Sequence, residues 1–159
     1  MSSNLKKILI IVLGLVAAAL LLSNQANPDS PLFGVKRAQE KIFLTISSSP
    51  DKKAKYYSSL LDKRFEEINF LVKSKKTNLL WSASLRYSAT AGELSKLIID
   101  NNLTSYVPKT IEKFKFHQVV FKNLDDDNFP NRLANENWKY LQDASHYLDQ
   151  YIIKLSHAQ

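Results

Sequence analysis

His146 stands with Asp143 three residues before it and Asp149 three residues after it. On a helix such spacing puts the three on successive turns. An imidazole flanked by carboxylates is a set that zinc accepts. Any polar helix face can produce the same spacing, and a solvated face is the reading adopted. Asp125, Asp126 and Asp127, followed by Asn128, look like a calcium loop only in their acidity. The alternating ligand positions, central Gly and closing Glu of such a loop are missing. The run reads as a helix-breaking turn, with Asp127 or Asn128 capping the next helix. His117 falls on an expected helix and His157 in the C-terminal tail. Glu-x-x-His, the signature of di-iron helices, is absent. There is no cysteine, hence no thiolate ligand, thiol nucleophile or disulfide. A Gly-rich phosphate loop, a serine nucleophile elbow and a zinc-protease motif are also missing. No catalytic, cofactor-binding or metal-binding residue is assigned, no cofactor is expected, and the chain does not read as an enzyme.

The chain carries a formal charge of +7. Such an excess favours anionic surfaces, but mixed charges along solvated helix faces account for it. Lys113 to Lys122 interleaves lysines with Phe114, Phe116 and Phe121. The phenylalanines read as core, and nucleic acid is not an expected partner. Asn102-Leu103-Thr104 has the form of a glycosylation acceptor and reads as a loop.

The elements that position these residues start with an apolar run, Ile8 to Leu22, behind Lys6 and Lys7. Fifteen residues at helical rise span about 22 Å, short against a bilayer core of about 30 Å. Leu5, Ser23 and snorkelling lysines can lengthen it. Two readings stay open: an uncleaved signal anchor, and a cleaved signal peptide. Both leave Lys6 and Lys7 inside and export the remainder. Residues 1–26 therefore form a targeting segment and 27–159 an exported domain. The expected location is the cell membrane, single-pass, with a cytoplasmic N-terminus and an extracytoplasmic C-terminal domain. Cleavage would make the protein secreted.

Five further helices are predicted, joined by short loops. Ser30, with Pro31 at the first helical position, starts one that runs to Ile46. Val35, Ala38, Ile42, Phe43 and Ile46 form its apolar face. Ser49-Pro50 starts the next, Pro50 to about Lys75, with Ala54, Tyr57, Leu61, Ile68, Leu71 and Val72 inside. Thr77 or Asn78 caps a third, Leu79 to Asp100, whose stripe is Leu80, Trp81, Leu85, Ala91, Leu94, Leu97 and Ile98. Gly92 weakens it by about 1 kcal/mol relative to Ala. A fourth covers Lys109 to about Leu124, with a strand from Phe114 to Phe121 not excluded. The last, about Asn131 to Leu155, has the clearest period: Ala134, Trp138, Leu141, Ser145, Leu148, Ile152 and Leu155. Such a seam must meet other helices. The fold class is all-α: an N-terminal transmembrane or signal helix, then an antiparallel bundle or stacked helical hairpins.

One stretch is more specific. Pro28, Ser30, Leu32, Phe33, Lys36, Arg37 and Glu40 are followed by Leu44, Pro50, Lys53, Ala54, Leu61, Arg64 and Glu67. This pattern resembles a prokaryotic domain of unknown function, the family numbered 5667, over about Pro28 to Val72. Phe33 departs from the family's usual Tyr, so a hydroxyl contact is lost there. The resemblance implies an exported helical module behind a membrane segment and implies no activity. In physical terms the charges read as hairpin glue. Ion pairs between Lys36, Arg37, Glu40 and Arg64, Glu67 would fix register at about 0–1 kcal/mol each if exposed.

The expected function is thus a non-enzymatic, membrane-tethered interaction or scaffold module, engaging an envelope protein or a second copy of itself. The competing expectation is an outward-facing sensor that holds a small molecule or ion between helices.

Overall fold

The computed structural model describes residues 3–133 and 135–158, with side chains from Lys7 onward. It is all-helical, with no strand among the described residues. The helices are α1 (Ser3–Ser23), α2 (Phe33–Ile46), α3 (Pro50–Lys73), α4 (Leu80–Asp100), α5 (Val107–Asn128) and α6 (Trp138–Ser156). Short 3-10 turns at Thr77–Leu79 and Thr104–Tyr106 lead into α4 and α5. Phe114 to Phe121 is helix throughout, which removes the strand alternative. The chain divides into two compact units, Met1–Ser47 and Ser48–Gln159.

In the first unit α2 folds back on the end of α1. Gln39 Nε2 donates to the Leu20 carbonyl at 3.0 Å, and the Lys36 ammonium donates to the Ala26 carbonyl at 3.0 Å. These bonds satisfy carbonyls that a helix end leaves without intrahelical donors. The expected apolar faces point outward. Ile8 to Val12, Leu21 and Leu22 are exposed on α1, and Ile42, Phe43 and Ile46 on α2. On α2 the buried residues are Lys36 and Glu40, the reverse of the expected inside. Ile8 to Leu22 is helical, within α1. Among the described residues, no helix is long and apolar enough to cross a membrane.

The second unit is a four-helix bundle. α3 packs on α4 and α5, and α6 packs on α4 and α5. Glu67 lies beside Arg86, so α3 and α4 are antiparallel neighbours; Gln118 bonds Asp149 while Asp125 bonds Gln142, so α5 and α6 are too. The unit is two hairpins set side by side. Ala54, Leu61, Ile68 and Leu71 of α3 meet Leu80, Tyr87, Leu94 and Ile98 of α4. Phe114 and Phe121 of α5 and Leu141, Leu148 and Leu155 of α6 close the core. Each such side chain, fully buried, contributes about 1.5–3 kcal/mol before entropy.

Helix ends follow local chemistry. The Ser49 hydroxyl accepts from the Lys52 amide at 3.3 Å, the expected cap, with Pro50 behind it. Ser30 is not the cap of α2. Its hydroxyl holds a turn by accepting from Leu32 N, and the helix begins at Phe33. α3 stops at Lys73, not Lys75, because Lys75 turns left-handed (φ 58°). Lys76 N then reaches Leu71 O and Lys75 N reaches Val72 O, a closure that satisfies the last carbonyls. Asn102 (φ 52°) repeats this after α4. Thr77 and Asn78 belong to the 3-10 turn, and α4 has no side-chain cap.

The acidic run is not a break. Asp125 to Asn128 form the last turn of α5, and the Asn128 amide donates to the Leu124 carbonyl. Carboxylates at a helix C-terminus oppose its dipole. Lys122 pairs with Asp126, and Arg132 with Asp125, which offsets that cost. α6 begins at Trp138 rather than Asn131. Its seam is buried at Leu141, Leu148 and Leu155, while Ala134 lies outside the described residues.

Candidate interaction groove

Trp81 and Leu85 were expected inside the bundle. They are 59% and 58% exposed. The buried seam of α4 runs instead through Leu80, Ala83, Tyr87, Ala91, Leu94 and Ile98, at alternating three- and four-residue steps. Trp81 and Leu85 sit one residue off that seam and face the edge toward α6. Small residues, Ser84 and Ser88 on α4 and Ala144 on α6, fill the contact beneath them. The result is a groove of about 160 Å³ along α4 and α6, walled by Trp81, Leu85, Tyr140 and Tyr147. Asp143 is on its rim. Ser84 is 5% exposed, and its hydroxyl has no hydrogen-bond partner. Aromatic walls around a desolvated polar atom are what a docking side chain fills. Isolated exposed apolar residues are ordinary, but a contiguous patch is informative.

A second feature lies in the core. The Tyr87 hydroxyl is 2.9 Å from His117 Nδ1, and both residues are sealed from solvent. The His117 ring stacks on Phe65 with centroids 4.0 Å apart. Its Nε2 is 3.8 Å from Asp62 Oδ1, beyond hydrogen-bond reach. Burial, the largest influence, pulls the His117 pKa down from 6.5 to about 4; Asp62 pushes it up and Lys113 pushes it down. Burial, with Asp62, holds the Tyr87 phenol well above its ordinary value. A neutral imidazole accepting the Tyr87 proton at Nδ1 is the consistent tautomer. Beside it, the Lys113 ammonium donates to Ser58 O, Ser58 Oγ and Asp62 Oδ2 at 3.1, 2.8 and 2.7 Å, fastening α5 to α3. The trio contains acid–base groups, but Tyr87 is 0% and His117 2% exposed, so no substrate atom reaches them. Its role is to order the core. His117 escaped the sequence reading, although Phe114, His117 and Phe121 share one seam spacing.

The motif residues are dispersed. Ser30 and Leu32 form the turn before α2, Phe33 opens it, and the Lys36 ammonium lies 5.6 Å over the Phe33 ring. Arg37 pairs with Glu40 within α2 at 3.2 Å. Pro50 starts α3, the Lys53 amide donates to Ser49 O, and Ala54 is core. Arg64 and Glu67 pair at 2.7 Å within α3, and Arg86 of α4 lies 4.0 Å from Glu67. This pair is buried, 0% and 4% exposed, so the surface-pair magnitude does not apply to it. Its energetics are those of buried charge.

The Asp143, His146 and Asp149 trio is split. Asp143 borders the α4–α6 groove, while His146 and Asp149 line a separate one between α5 and α6. His146 is exposed and contacts Gln150. Among the described residues no group of three or more His, Cys, Asp or Glu is placed to hold a metal ion.

The model of one protein family, described as Domain of unknown function (DUF5667), matches residues 25–137. The likeness read from the sequence stopped at Val72; the family model continues through α4 and α5, so the α4 wall of the groove lies within it. No curated protein and no solved structure matches the chain.

Proposed function

This chain belongs to the DUF5667 family, and on that premise we propose that it is a non-enzymatic interaction module, tethered to the cell membrane by α1 with its bundle on the extracytoplasmic side. The observation that carries the reading is the aromatic groove of Trp81, Leu85 and Tyr147. The occupant is an apolar helix of another envelope protein. Desolvated Trp and Tyr anchors dominate protein interfaces, and an apolar side chain seated between them supplies the affinity. The charge of +7 argues against a second copy, whose like charge would repel, and for a partner with an acidic surface.

The tether is supported by length and exposure. α1 has 21 residues and spans about 31 Å. Its uncharged run, Ile8 to Leu22, is shorter than a bilayer core of about 30 Å, and snorkelling lysines with local thinning take up the difference. The exposed Ile42, Phe43 and Ile46 of α2 add apolar surface in the same unit. Lys6 and Lys7 set the orientation.

A photo-crosslinking side chain at Leu85 tests the module in cells. One discrete envelope protein is expected in the adduct, with the adduct lost in Trp81→Ala while helix content and melting temperature hold. Adducts with copies of this chain alone, or none, contradict the reading. A reporter fused to the C-terminus is expected to be active only outside the cytoplasm, and cytoplasmic activity would overturn the topology.

A further inference from the structure

Asp125 is 4% exposed, at the end of α5. Its Oδ2 accepts from Arg132 Nη2 at 2.9 Å and from Gln142 Nε2 at 3.1 Å. Its Oδ1 is buried and accepts from nothing. A buried acceptor without a donor is unfavourable, the more so when charged. Asp125 lines a groove of about 290 Å³ between α5 and α6, distinct from the one bordered by Trp81. Asp149 lines the same groove and is held by Gln118 Nε2 at 2.7 Å. Gln142, the partner of Asp125, and Asp149 are two turns apart on α6, about 10 Å along the axis. Phe121 and Leu141 give the space between them an apolar lining. Lys122 also borders it, with its ammonium bound to Asp126.

We propose that this groove binds a linear aliphatic diamine or short polyamine. One ammonium donates to Asp125 Oδ1, the methylenes lie on Phe121 and Leu141, and the second ammonium meets Asp149. An ammonium over an aromatic face gains a further attraction. A divalent cation fits less well. Calcium needs six or more oxygens and magnesium a near-ideal octahedron, and the described residues assemble no group of three potential ligands. The proposal goes beyond the docking role and stands independently of it, because the two grooves share no residue.

Titration of the full chain in detergent micelles with 1,5-diaminopentane and spermidine tests this by calorimetry. Pentylamine, 1,5-pentanediol and magnesium at matched ionic strength serve as comparisons. Saturable binding at one site is expected for the diamine and the polyamine, with pentylamine weaker and no binding of the diol. Asp125→Asn is expected to weaken binding about tenfold or more, the scale of a charge-assisted hydrogen bond. Because Asp125 also holds Arg132, Ser145→Leu is the second variant. It fills the groove and leaves Asp125 intact, so it should abolish binding with the melting temperature little changed. Absence of saturable binding, binding unchanged in both variants, or displacement by magnesium at matched ionic strength would overturn the proposal.

Discussion

Arg64 donates to Glu67 at 2.7 Å, one turn along α3, and neither side chain reaches solvent. A buried charge that loses its counter-ion is left uncompensated. Glu67→Ala is therefore expected to destabilise the bundle by about 3–5 kcal/mol, read by urea denaturation. The double replacement Arg64→Met with Glu67→Leu is expected to cost much less than that single change, because no charge remains in the core. Equal losses from both would show that the side chains act by shape rather than by charge.

Acid should weaken the fold through His117. Its pKa is about 4 in the folded chain and near 6.5 when unfolded. As pH falls, the unfolded state takes the proton first, so stability is full above about pH 6.5 and is lost as pH falls toward 4. The loss levels off near 2–3 kcal/mol, about the shift converted to energy. His117→Gln should flatten this slope between pH 6.5 and 4, measured by denaturation at several pH values. An unchanged slope would assign the acid sensitivity to other groups.

Gly92 shows why local propensity misleads. A Cβ there would lie 2.7 Å from the Tyr151 hydroxyl oxygen, so α6 uses the space. Gly92→Ala is expected to lose stability in the wild type, by about 1 kcal/mol, since overpacking outweighs the gain in helix propensity. In a Tyr151→Ala background the same change should gain about 1 kcal/mol. Thermal melting of the four proteins measures this coupling, and additivity would contradict it.

The helices were legible from Pro starts, polar breaks and three-to-four periodicity, and α6 showed its buried seam most clearly. The groove was not. Trp81 and Leu85 are large and apolar, and size drew them to the inside in the sequence reading. The seam of α4 is completed by Ala83, Ser84 and Ser88, small residues that carry little hydrophobic signal but let helices approach. Asp125 to Asp127 read as a break because their counter-ions, Lys122 and Arg132, come into place only in the fold. Arg64 and Glu67 were visible as a pattern, but their burial depends on neighbours from other helices.

The docking role rests on Trp81. Once the protein cross-linked from Leu85 is purified, its affinity for the full chain and for Trp81→Ala is the most direct test. A loss of about tenfold or more is predicted, the scale of a Trp hot spot, with an unchanged melting temperature because Trp81 is 59% exposed. Equal affinity for the two chains would contradict the assignment of the groove as the interface.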